Sequence, residues 1–276
     1  MASTSRATAR RTAPDRGDRD VARAAGRRSA IVTGANGGLG APVVDRLVAQ
    51  GFAVVAMDRR AATAPHPSDR VLAVQGDVTD DDAVHAAIAA AVGLGALSAL
   101  VNVAGGSPRG SATVDADGVA HDAETFTRTL SSNVTGTFNA VRLVAAAMAA
   151  TSPDADGQRG AIVNTASVAG YEGQRGQVAY AAAKAAILGM TLPLARDLAA
   201  MGIRVCAIAP GPMGTPAMLR LRERLLEDPA AEVVNPARMG RPEEFAALVA
   251  DVIANPYLNG ENIRLDGALR LGVGAA

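Results

Sequence analysis

Two polar side chains in the second half of the chain have a spacing that suits proton transfer. Tyr180 and Lys184 lie four residues apart in an apolar, Ala-rich segment, so a helix would place both on one face. A phenol with a pKa of about 10 is a poor base at neutral pH, and a neighbouring ammonium would stabilise the phenolate and lower that pKa. We therefore predict that Tyr180 is the general acid or base for an alcohol proton.

The composition of the chain supports a special role for Lys184. It is the one lysine among 27 Lys and Arg residues. An ammonium is a compact cation with several donors, whereas a guanidinium is planar, so this exception favours a site that needs an ammonium, such as one that holds a nicotinamide ribose. A YxxxK pair alone is also typical of an exposed helix face.

Ser167 and Asn133 complete the predicted catalytic set. Ser167 ends the run IVNTAS, thirteen residues before Tyr180. Its hydroxyl could hydrogen-bond a substrate carbonyl and the alkoxide that develops, although a turn serine is the alternative. Asn133 falls early in a predicted helix, an awkward position unless it caps the helix or serves the site. There it could hold a water that relays protons from Lys184 to solvent.

A glycine-rich run, TGANGGLG at residues 33–40, separates an apolar run from a segment with helical spacing. Glycines at Gly34, Gly38 and Gly40 let a backbone turn sharply and approach a pyrophosphate, with amide donors at a helix N-terminus. A tight structural connection is the alternative. Because an acidic residue ends the next predicted strand, the context favours a dinucleotide site.

That acidic residue is Asp58, 18 positions beyond Gly40. Its carboxylate could accept both hydroxyls of the adenosine ribose and would repel a 2′-phosphate. Arg59 and Arg60 follow directly and would offset part of that repulsion. We predict NAD as the cofactor, in preference to NADP.

Two further runs follow predicted strands. Asp77, in QGDVTD, could contact the adenine or cap the next helix. The run NVAG, which contains Asn102, Ala104 and Gly105, could line the cofactor with its backbone, although a structural turn explains its glycine equally well.

The residues above need a scaffold of alternating strands and helices. Apolar patterning predicts strands at 30–32, 53–57, 71–74, 97–103, 161–164, 203–208 and 262–265, and helices at 41–50, 80–92, 131–150, 178–201 and 242–253. Strands that are apolar throughout indicate a parallel sheet covered on both faces. We predict a single-domain α/β fold, a doubly wound (Rossmann) parallel sheet of about seven strands with its ligand site at the carboxyl ends of the strands.

Three longer connections interrupt this alternation, at 105–124, 151–160 and 215–237. Long connections in compact domains tend to be functional or disordered. We assign the first and third to the substrate mouth, the third as a short helical lid, and the second to a surface loop.

Composition excludes several classes of protein. The 276 residues are 49% apolar and carry 27 basic and 27 acidic side chains, so no net field favours nucleic acid or a membrane surface. No uninterrupted apolar run approaches the roughly 18 residues of a membrane span. Cys206, the single cysteine, is expected in the core, and the three histidines lack metal-ligand spacing. We predict a cytoplasmic protein with a small-molecule substrate and no nucleic-acid, membrane or metal partner.

The N-terminal residues differ from the rest of the chain. Residues 1–28 contain eight Arg and three Asp and lack apolar periodicity. We predict a disordered tail at 1–28 and one oxidoreductase domain at 29–276.

Taken together and in order, TGxxxGxG, NVAG, Asn133, Ser167, YxxxK and PGPMGT resemble the short-chain dehydrogenase/reductase family over residues 29–276. The resemblance implies that Asn133, Ser167, Tyr180 and Lys184 form a catalytic tetrad and that Thr215 contacts the nicotinamide carboxamide. The chain has Val103 where the family's NNAG has its second Asn. Further cofactor contacts are expected from Asn36, Leu39, Val78, Pro210, Gly211 and Met213.

Three other stretches, GQRGAIVNTASVAGYEGQ, GMTLPLARDLA and NPYLNGENIRLDGALR, look like the type-2 3-hydroxyacyl-CoA dehydrogenases, which are related to 17β-hydroxysteroid dehydrogenase type 10. This likeness implies oxidation of 3-hydroxyacyl thioesters with NAD and a homotetramer. The segments that would form the pocket diverge, so a steroid or specialised-metabolite ketone remains an alternative. A dinucleotide-binding subunit without turnover is a third.

The predicted lid carries alternating charges. Arg220, Arg222 and Arg224 could meet CoA phosphates, a pairing that guanidinium geometry favours. They alternate with acidic side chains, so a solvated charged helix is the alternative. The acidic residues are Glu223, Glu227 and Asp228.

Overall fold

Seven parallel strands form a single sheet in the order β3-β2-β1-β4-β5-β6-β7 in the computed structural model, which describes residues 27–106, 110–225 and 230–273. The strands are β1 (Arg28–Thr33), β2 (Ala53–Asp58), β3 (Val71–Gln75), β4 (Ala96–Asn102), β5 (Gly160–Thr165), β6 (Ile203–Pro210) and β7 (Asn262–Leu265). The strand order reverses between β1 and β4, which opens a crevice at the carboxyl ends of the strands. The predicted doubly wound sheet is confirmed.

Helices cover both faces of the sheet. They are α1 (Gly40–Ala49), α2 (Asp81–Leu94), α3 (Ala123–Leu130), α4 (Gly136–Ala149), α5 (Val178–Leu198), α6 (Pro216–Leu225) and α7 (Pro242–Ala254). Buried side chains of α1 and α7 pack on one face, and those of α2, α4 and α5 on the other. Within β1, Ala30 and Val32 point to the first core and Ile31 to the second. Strands buried on both faces are apolar at every position, which is why they can be identified from the sequence.

The helix that holds Asn133 begins earlier than predicted. α3 starts at Ala123, capped by the Asp122 carboxylate, and continues through a π-helical turn (Ser131–Thr135) into α4. The predicted start at residue 131 is therefore wrong. α3 fully buries only Thr129, with Phe126 and Leu130 half-buried on the same side, so its stability depends on the cap and on packing against α5.

The folded domain also begins slightly earlier than predicted. Arg28 is the first residue of β1 and pairs with Ala96 of β4, while its guanidinium lies 4.3 Å from the centre of the Phe52 ring. The last residues assigned to the tail thus belong to the sheet. The rest of the predicted tail lies outside the described residues.

α5 is the longest helix of the described residues. With its final turn it spans Val178–Met201, has a mean hydropathy of 1.5, and is the one helix in the described ranges that by length and composition alone could cross a membrane. It packs against β6 and carries Tyr180 and Lys184 to the carboxyl edge of the sheet. Its apolar character therefore serves packing within this domain.

A buried arginine joins the far end of the sheet to α7. Arg204, in β6, is 8% exposed, and its guanidinium donates to the carbonyls of Val252 (3.0 Å), Ile253 (2.9 Å) and Leu258 (2.7 Å). These bonds satisfy carbonyls near the C-terminus of α7, where the helix itself offers no partners.

Candidate active site

A cleft of about 780 Å³ runs along the carboxyl edge of the sheet, past the glycine-rich turn. Nine of the predicted cofactor residues line it: Gly34, Gly38, Leu39, Asp58, Asp77, Val78, Ala104, Gly105 and Thr215. Six others lie beside or beneath it: Asn36, Gly40, Asn102, Pro210, Gly211 and Met213. The cleft lies at the carboxyl ends of the strands beside the point where the strand order reverses, which is where dinucleotides bind in doubly wound folds.

The glycine-rich turn lies directly against the segment that follows β4. Gly34 has φ of 67°, and a Cβ there would lie 2.7 Å from the backbone nitrogen of Ala104. A side chain at this position would therefore both strain the backbone and separate the two walls of the cleft. Gly40 begins α1, and the two residues before it, Gly38 and Leu39, line the cleft, so the N-terminus of the helix lies beside it.

The Asp58 carboxylate is fixed by two backbone amides. One of its oxygens accepts from the amide of Asn36 at 3.0 Å, and the other from the amide of Arg60 at 2.9 Å. The Arg60 guanidinium lies 3.5 Å from the same carboxylate and donates to the Asn36 carbonyl. Asn36 thus ties the turn to the end of β2 through its backbone. Because the Arg60 guanidinium pairs with Asp58, its positive charge is partly neutralised and would attract a phosphate less strongly.

Asp77 forms a turn of its own at the adenine end of the cleft. Its carboxylate accepts from the amide of Thr79 at 2.9 Å and from the Thr79 hydroxyl at 2.8 Å. The cap of α2 is Asp80, which accepts from the amide of Asp82. The alternative that Asp77 caps this helix is wrong, because the cap lies three residues further along the chain and the helix begins at Asp81.

A buried polar layer lies beneath the cleft. Asn102, 2% exposed, accepts from the Thr33 hydroxyl at 3.2 Å and donates to the Asn164 side chain at 3.0 Å. Thr33 in turn accepts from the amide of Ala104 at 3.2 Å. Asn102 therefore holds three strand ends together and reaches the cofactor region only through its neighbours. Thr33 and Asn164 were missed, although each is a polar residue near the end of an otherwise apolar strand.

Ser167 satisfies both interpretations of its position. It precedes a 3₁₀ turn (Val168–Gly170), where its hydroxyl oxygen accepts from the amide of Ala169 at 3.2 Å. The same hydroxyl is close enough to Tyr180, in the first turn of α5, to act on the pKa of that phenol. A turn serine is thus placed against the phenol that would act on a carbonyl.

Lys184 is buried one helical turn beyond Tyr180. It is 5% exposed, and its Nζ donates to the Thr165 carbonyl at 2.8 Å and lies 5.6 Å from the centre of the Tyr180 ring. Burial lowers the pKa of Lys184 to about 8. At neutral pH the side chain is therefore still an ammonium, and its burial lowers the stability of the folded chain. Perturbed pKa values of this kind are common at catalytic sites.

The pKa of Tyr180 differs from the expectation. Burial raises it above the ordinary value of a phenol, and the Ser167 hydroxyl only partly opposes this. The predicted lowering by Lys184 is thus wrong for the chain as described, because desolvation of the phenolate outweighs the other effects and Nζ is anchored to Thr165. At neutral pH Tyr180 carries its proton, which equips it to donate to a carbonyl oxygen.

Asn133 lies within the helix, in the π-helical turn, and the alternative that it caps the helix is wrong. It is 1% exposed, and its Nδ2 donates to the carbonyls of Gly106 (2.9 Å) and Thr129 (3.0 Å). Its Oδ1 accepts from the amide of Gly106 at 3.2 Å, and any Cβ at Gly105 would collide with that oxygen. Asn133 therefore fixes the wall of the cleft after β4, while its part in a proton relay stays a prediction.

Sequence reasoning missed one wall of the cleft. The wall comes from α3, which lies upstream of the predicted helix start at residue 131, and from the start of the π-helical turn, and it comprises Thr125, Arg128, Thr129, Ser131 and Ser132. The cap at Asp122 is the signal that could have located it.

The segment after β6 forms the opposite side of the cleft. The amide of Gly211 donates to the Leu265 carbonyl at 2.9 Å, and Met213 bridges to Gly240. Thr215 then meets Gly38 across the cleft and precedes α6, so a helix lies within the segment predicted as a lid.

Several residues of the predicted mouth and lid are not described. Residues 107–109 of the mouth, and Glu227 and Asp228 of the lid, lie outside the described residues. The side chains of Arg222 and Arg224 lie outside them too.

Comparisons with known proteins agree with this geometry. The sequence model of the family described as short chain dehydrogenase matches residues 28–225. The 3-hydroxyacyl-CoA dehydrogenase type-2 of Homo sapiens is 46% identical over 247 residues, which cover 88% of this chain and 95% of the relative. The ipsdienol dehydrogenase of Ips pini is 36% identical over 243 residues, with 87% and 96% covered.

A solved structure shares the fold as well as the sequence. The crystal structure of 3-hydroxyacyl-CoA dehydrogenase type-2 from Mycobacterium avium matches with a TM-score of 0.86 and 47% identity, covering 90% of this chain and 97% of that one. The resemblance predicted from the motifs is confirmed.

Proposed function

Because the chain belongs to the short-chain dehydrogenase family, we propose that it is an NAD-dependent oxidoreductase that interconverts 3-hydroxyacyl-CoA and 3-oxoacyl-CoA thioesters. The family membership makes it an alcohol oxidoreductase with a nicotinamide cofactor. The observation that carries the reaction class is the grouping of a buried Lys184, 5.6 Å from the Tyr180 ring, with a protonated Tyr180 whose pKa is influenced by Ser167. NAD as the cofactor and a CoA thioester as the substrate are the more specific parts of this assignment.

The residues that line the cleft fit a dinucleotide. Gly34 and Gly38 keep the turn free of side chains, and the N-terminus of α1 can bind a pyrophosphate. Asp58 would accept the hydroxyls of the adenosine ribose, and its fixed negative charge supports NAD over NADP. When bound there, the nicotinamide ring accepts or donates the hydride.

The chain itself supplies the proton and the oxygen contacts. In the direction of reduction, the Tyr180 hydroxyl transfers its proton to the carbonyl oxygen of the substrate. The Ser167 hydroxyl hydrogen-bonds that oxygen as negative charge develops on it. Lys184 holds its ammonium 5.6 Å from the centre of the Tyr180 ring, where it can bind the nicotinamide ribose.

The thioester assignment draws on the relatives. The human protein and the structure from Mycobacterium avium, at 46% and 47% identity, are both 3-hydroxyacyl-CoA dehydrogenases type-2. Ala217 of α6 lines the cleft, and the exposed Arg220 follows it by three residues on the same helix, so its guanidinium could meet phosphates of a CoA group.

The test follows NADH absorbance with acetoacetyl-CoA, with NADPH as the cofactor control and acetoacetate as the substrate without CoA. We expect rapid oxidation of NADH with the thioester, at least tenfold slower reaction with NADPH, and little with acetoacetate. The Tyr180→Phe variant shows which part of the signal is enzymatic. Absence of turnover with the thioester, alongside turnover of other ketones, would refute the CoA substrate and keep the hydride chemistry.

A second candidate within the same chemistry is a free ketone of a steroid or specialised metabolite. The 36% identity to ipsdienol dehydrogenase over 87% of this chain favours it, since that relative is named for another alcohol. A panel of steroid and terpenoid ketones, assayed with NADH, separates the two candidates. Tight NADH binding without turnover of any ketone or thioester would instead indicate a dinucleotide-binding subunit, a function that has no need of the tetrad.

We also propose a homotetramer. Large apolar side chains lie exposed on the outer faces of α4 and α5, among them Phe138 (45%), Val178 (46%) and Leu192 (44%). Packing of these faces against other copies would remove them from water. Light scattering coupled to size exclusion measures the mass directly, and a Phe138→Glu/Leu192→Glu variant should dissociate, whereas a monomeric wild type would refute the proposal.

A further inference from the structure

An ionic network lies behind the loop that carries Ser167. We call residues 166–177, between β5 and α5, the catalytic loop, and residues 266–273 the C-terminal segment. In the catalytic loop, Glu172 accepts from both terminal nitrogens of Arg264, at 3.0 and 3.3 Å. The same carboxylate accepts from the amide of Leu271 at 2.9 Å. One acidic side chain therefore joins the catalytic loop to β7 and to the C-terminal segment.

The network is closed on its other side. Arg264 donates through Nε to Asp266 at 2.7 Å and through Nη2 to the Leu269 carbonyl at 2.8 Å. Arg270 lies 3.6 Å from Glu172 and 3.3 Å from Asp266. Only 20% of the Arg264 side chain and 26% of the Glu172 side chain are exposed, so this two-point ion pair is less screened than a surface pair.

The backbone carries this attachment to Ser167. The amide of Glu172 donates to the carbonyl of Val168 at 3.0 Å, and Val168 directly follows Ser167. Val168 is buried with Leu269, Ala230 and Val233 in a small apolar cluster separate from the two main cores. The residue next to Ser167 is thus held by Glu172 through the backbone and by Leu269 through packing.

The C-terminal segment also holds the chain that returns from the lid. The Gly267 carbonyl accepts from the amides of Val234 and Asn235, both at 3.1 Å, and the amide of Gly272 donates to Glu232 at 3.2 Å. The Val273 carbonyl accepts from the amide of Arg175 at 3.1 Å, at the other end of the catalytic loop. One segment therefore joins the catalytic loop to the residues downstream of α6.

We propose that Glu172 is a positioning residue, which acts by locking the catalytic loop onto Arg264 and the C-terminal segment so that Ser167 stays in register with Tyr180. The inference rests on the proposed hydride transfer, in which those two hydroxyls act on the substrate oxygen. Since Glu172 lies on the far side of the loop, its loss should slow proton transfer and leave the cofactor contacts intact.

The test compares Glu172→Gln with Asp81→Asn. Asp81 forms a 2.6 Å ion pair with Arg142 between α2 and α4, outside the cleft, so its variant reports the cost of losing an ion pair as such. For Glu172→Gln we expect kcat to fall about tenfold, since the oxygen contact is misplaced but not removed. The KM for the ketone and the Kd for NADH should stay within about twofold. Asp81→Asn should leave kcat unchanged.

The pH profile of alcohol oxidation supplies a readout that a loss of stability alone would not move. The Ser167 hydroxyl lowers the pKa of Tyr180, so a looser catalytic loop should move the midpoint of the oxidation rate to higher pH. The double variant Glu172→Gln/Arg264→Gln should be little slower than either single variant, because each breaks the same contact.

Hydrogen exchange measured by mass spectrometry separates this proposal from the proposed function. Peptides within 168–177 and 266–273 should exchange faster in Glu172→Gln, whereas α2 should not change, whichever ketone the wild type reduces. If the wild type does not reduce acetoacetyl-CoA, only the proposed thioester function is refuted. The kcat of Glu172→Gln is then measured with whichever ketone the wild type does reduce. Unchanged kcat, pH midpoint and exchange in Glu172→Gln would overturn the positioning role. If that variant does not fold, Arg264→Lys takes its place, with the same shifts expected to be smaller.

Discussion

Replacing Lys184 by methionine separates what this residue does for catalysis from what it costs the fold. The burial of Lys184 lowers its pKa from 10.5 to about 8. Each pKa unit corresponds to about 1.4 kcal/mol, so holding the ammonium in the folded chain costs roughly 3 kcal/mol at neutral pH. The variant also loses the hydrogen bond from Lys184 to Thr165, and this loss offsets about 1 kcal/mol of the stability gained. Lys184→Met should therefore raise the free energy of unfolding by about 2 kcal/mol at pH 7 while it abolishes turnover.

The sign of the pH dependence follows from proton binding. Between pH 8 and 10.5 the unfolded chain binds more protons at Lys184 than the folded chain does, so wild-type stability rises with pH in this window. The methionine variant does not titrate there. Its advantage should be complete below pH 8 and should fall to near zero by about pH 9.5.

The assay is urea unfolding followed by circular dichroism at pH 7 and pH 9.5, since the chain has no tryptophan to report by fluorescence. Ile187→Met, a buried substitution on the same helix, is the matched control and should change stability equally at both pH values. A Lys184→Met variant less stable than the wild type at pH 7, or one whose advantage does not depend on pH, would refute the reasoning.

Three other substitutions test separate parts of the molecule. Tyr180→Phe should lower kcat at least about a hundredfold while the Kd for NADH, measured by fluorescence titration, stays nearly constant, because only the transferable proton is lost. Asp58→Ala should raise the ratio of kcat/KM for NADPH over NADH at least about tenfold, and an unchanged ratio would place Asp58 away from the ribose. Arg204→Met should lower the free energy of unfolding by about 3 kcal/mol in urea, as three buried carbonyls lose a charged donor. A loss below about 0.5 kcal/mol would show that these carbonyls find other partners.

Local patterns located the scaffold and most of the cleft. The strands are apolar at every position because both faces of the sheet are covered, and the glycine-rich turn, Asp58 and the YxxxK pair are recognisable by spacing alone. Those features depend on neighbours in sequence, so a single chain contains enough information to identify them.

Where local patterning was weak, the expectations failed. α3 begins eight residues before the predicted start, because a segment with only two large apolar side chains, Phe126 and Leu130, gives a weak helical pattern. For the same reason Asn133 was assigned a capping role, although it lies in a π-helical turn and binds Gly106 across the cleft. The wall formed by α3 was missed with it.

The sequence by itself determined the parallel sheet and the positions of the four residues assigned to a catalytic tetrad. Only the tertiary structure decided their protonation, because desolvation raises the pKa of Tyr180 and lowers that of Lys184 to about 8. It also decided which distant residues support them: Thr33 binds Asn102 across 69 positions, and Arg264 binds Glu172 across 92. Burial and long-range contact arise when the chain folds onto itself, so no spacing within one segment can specify them.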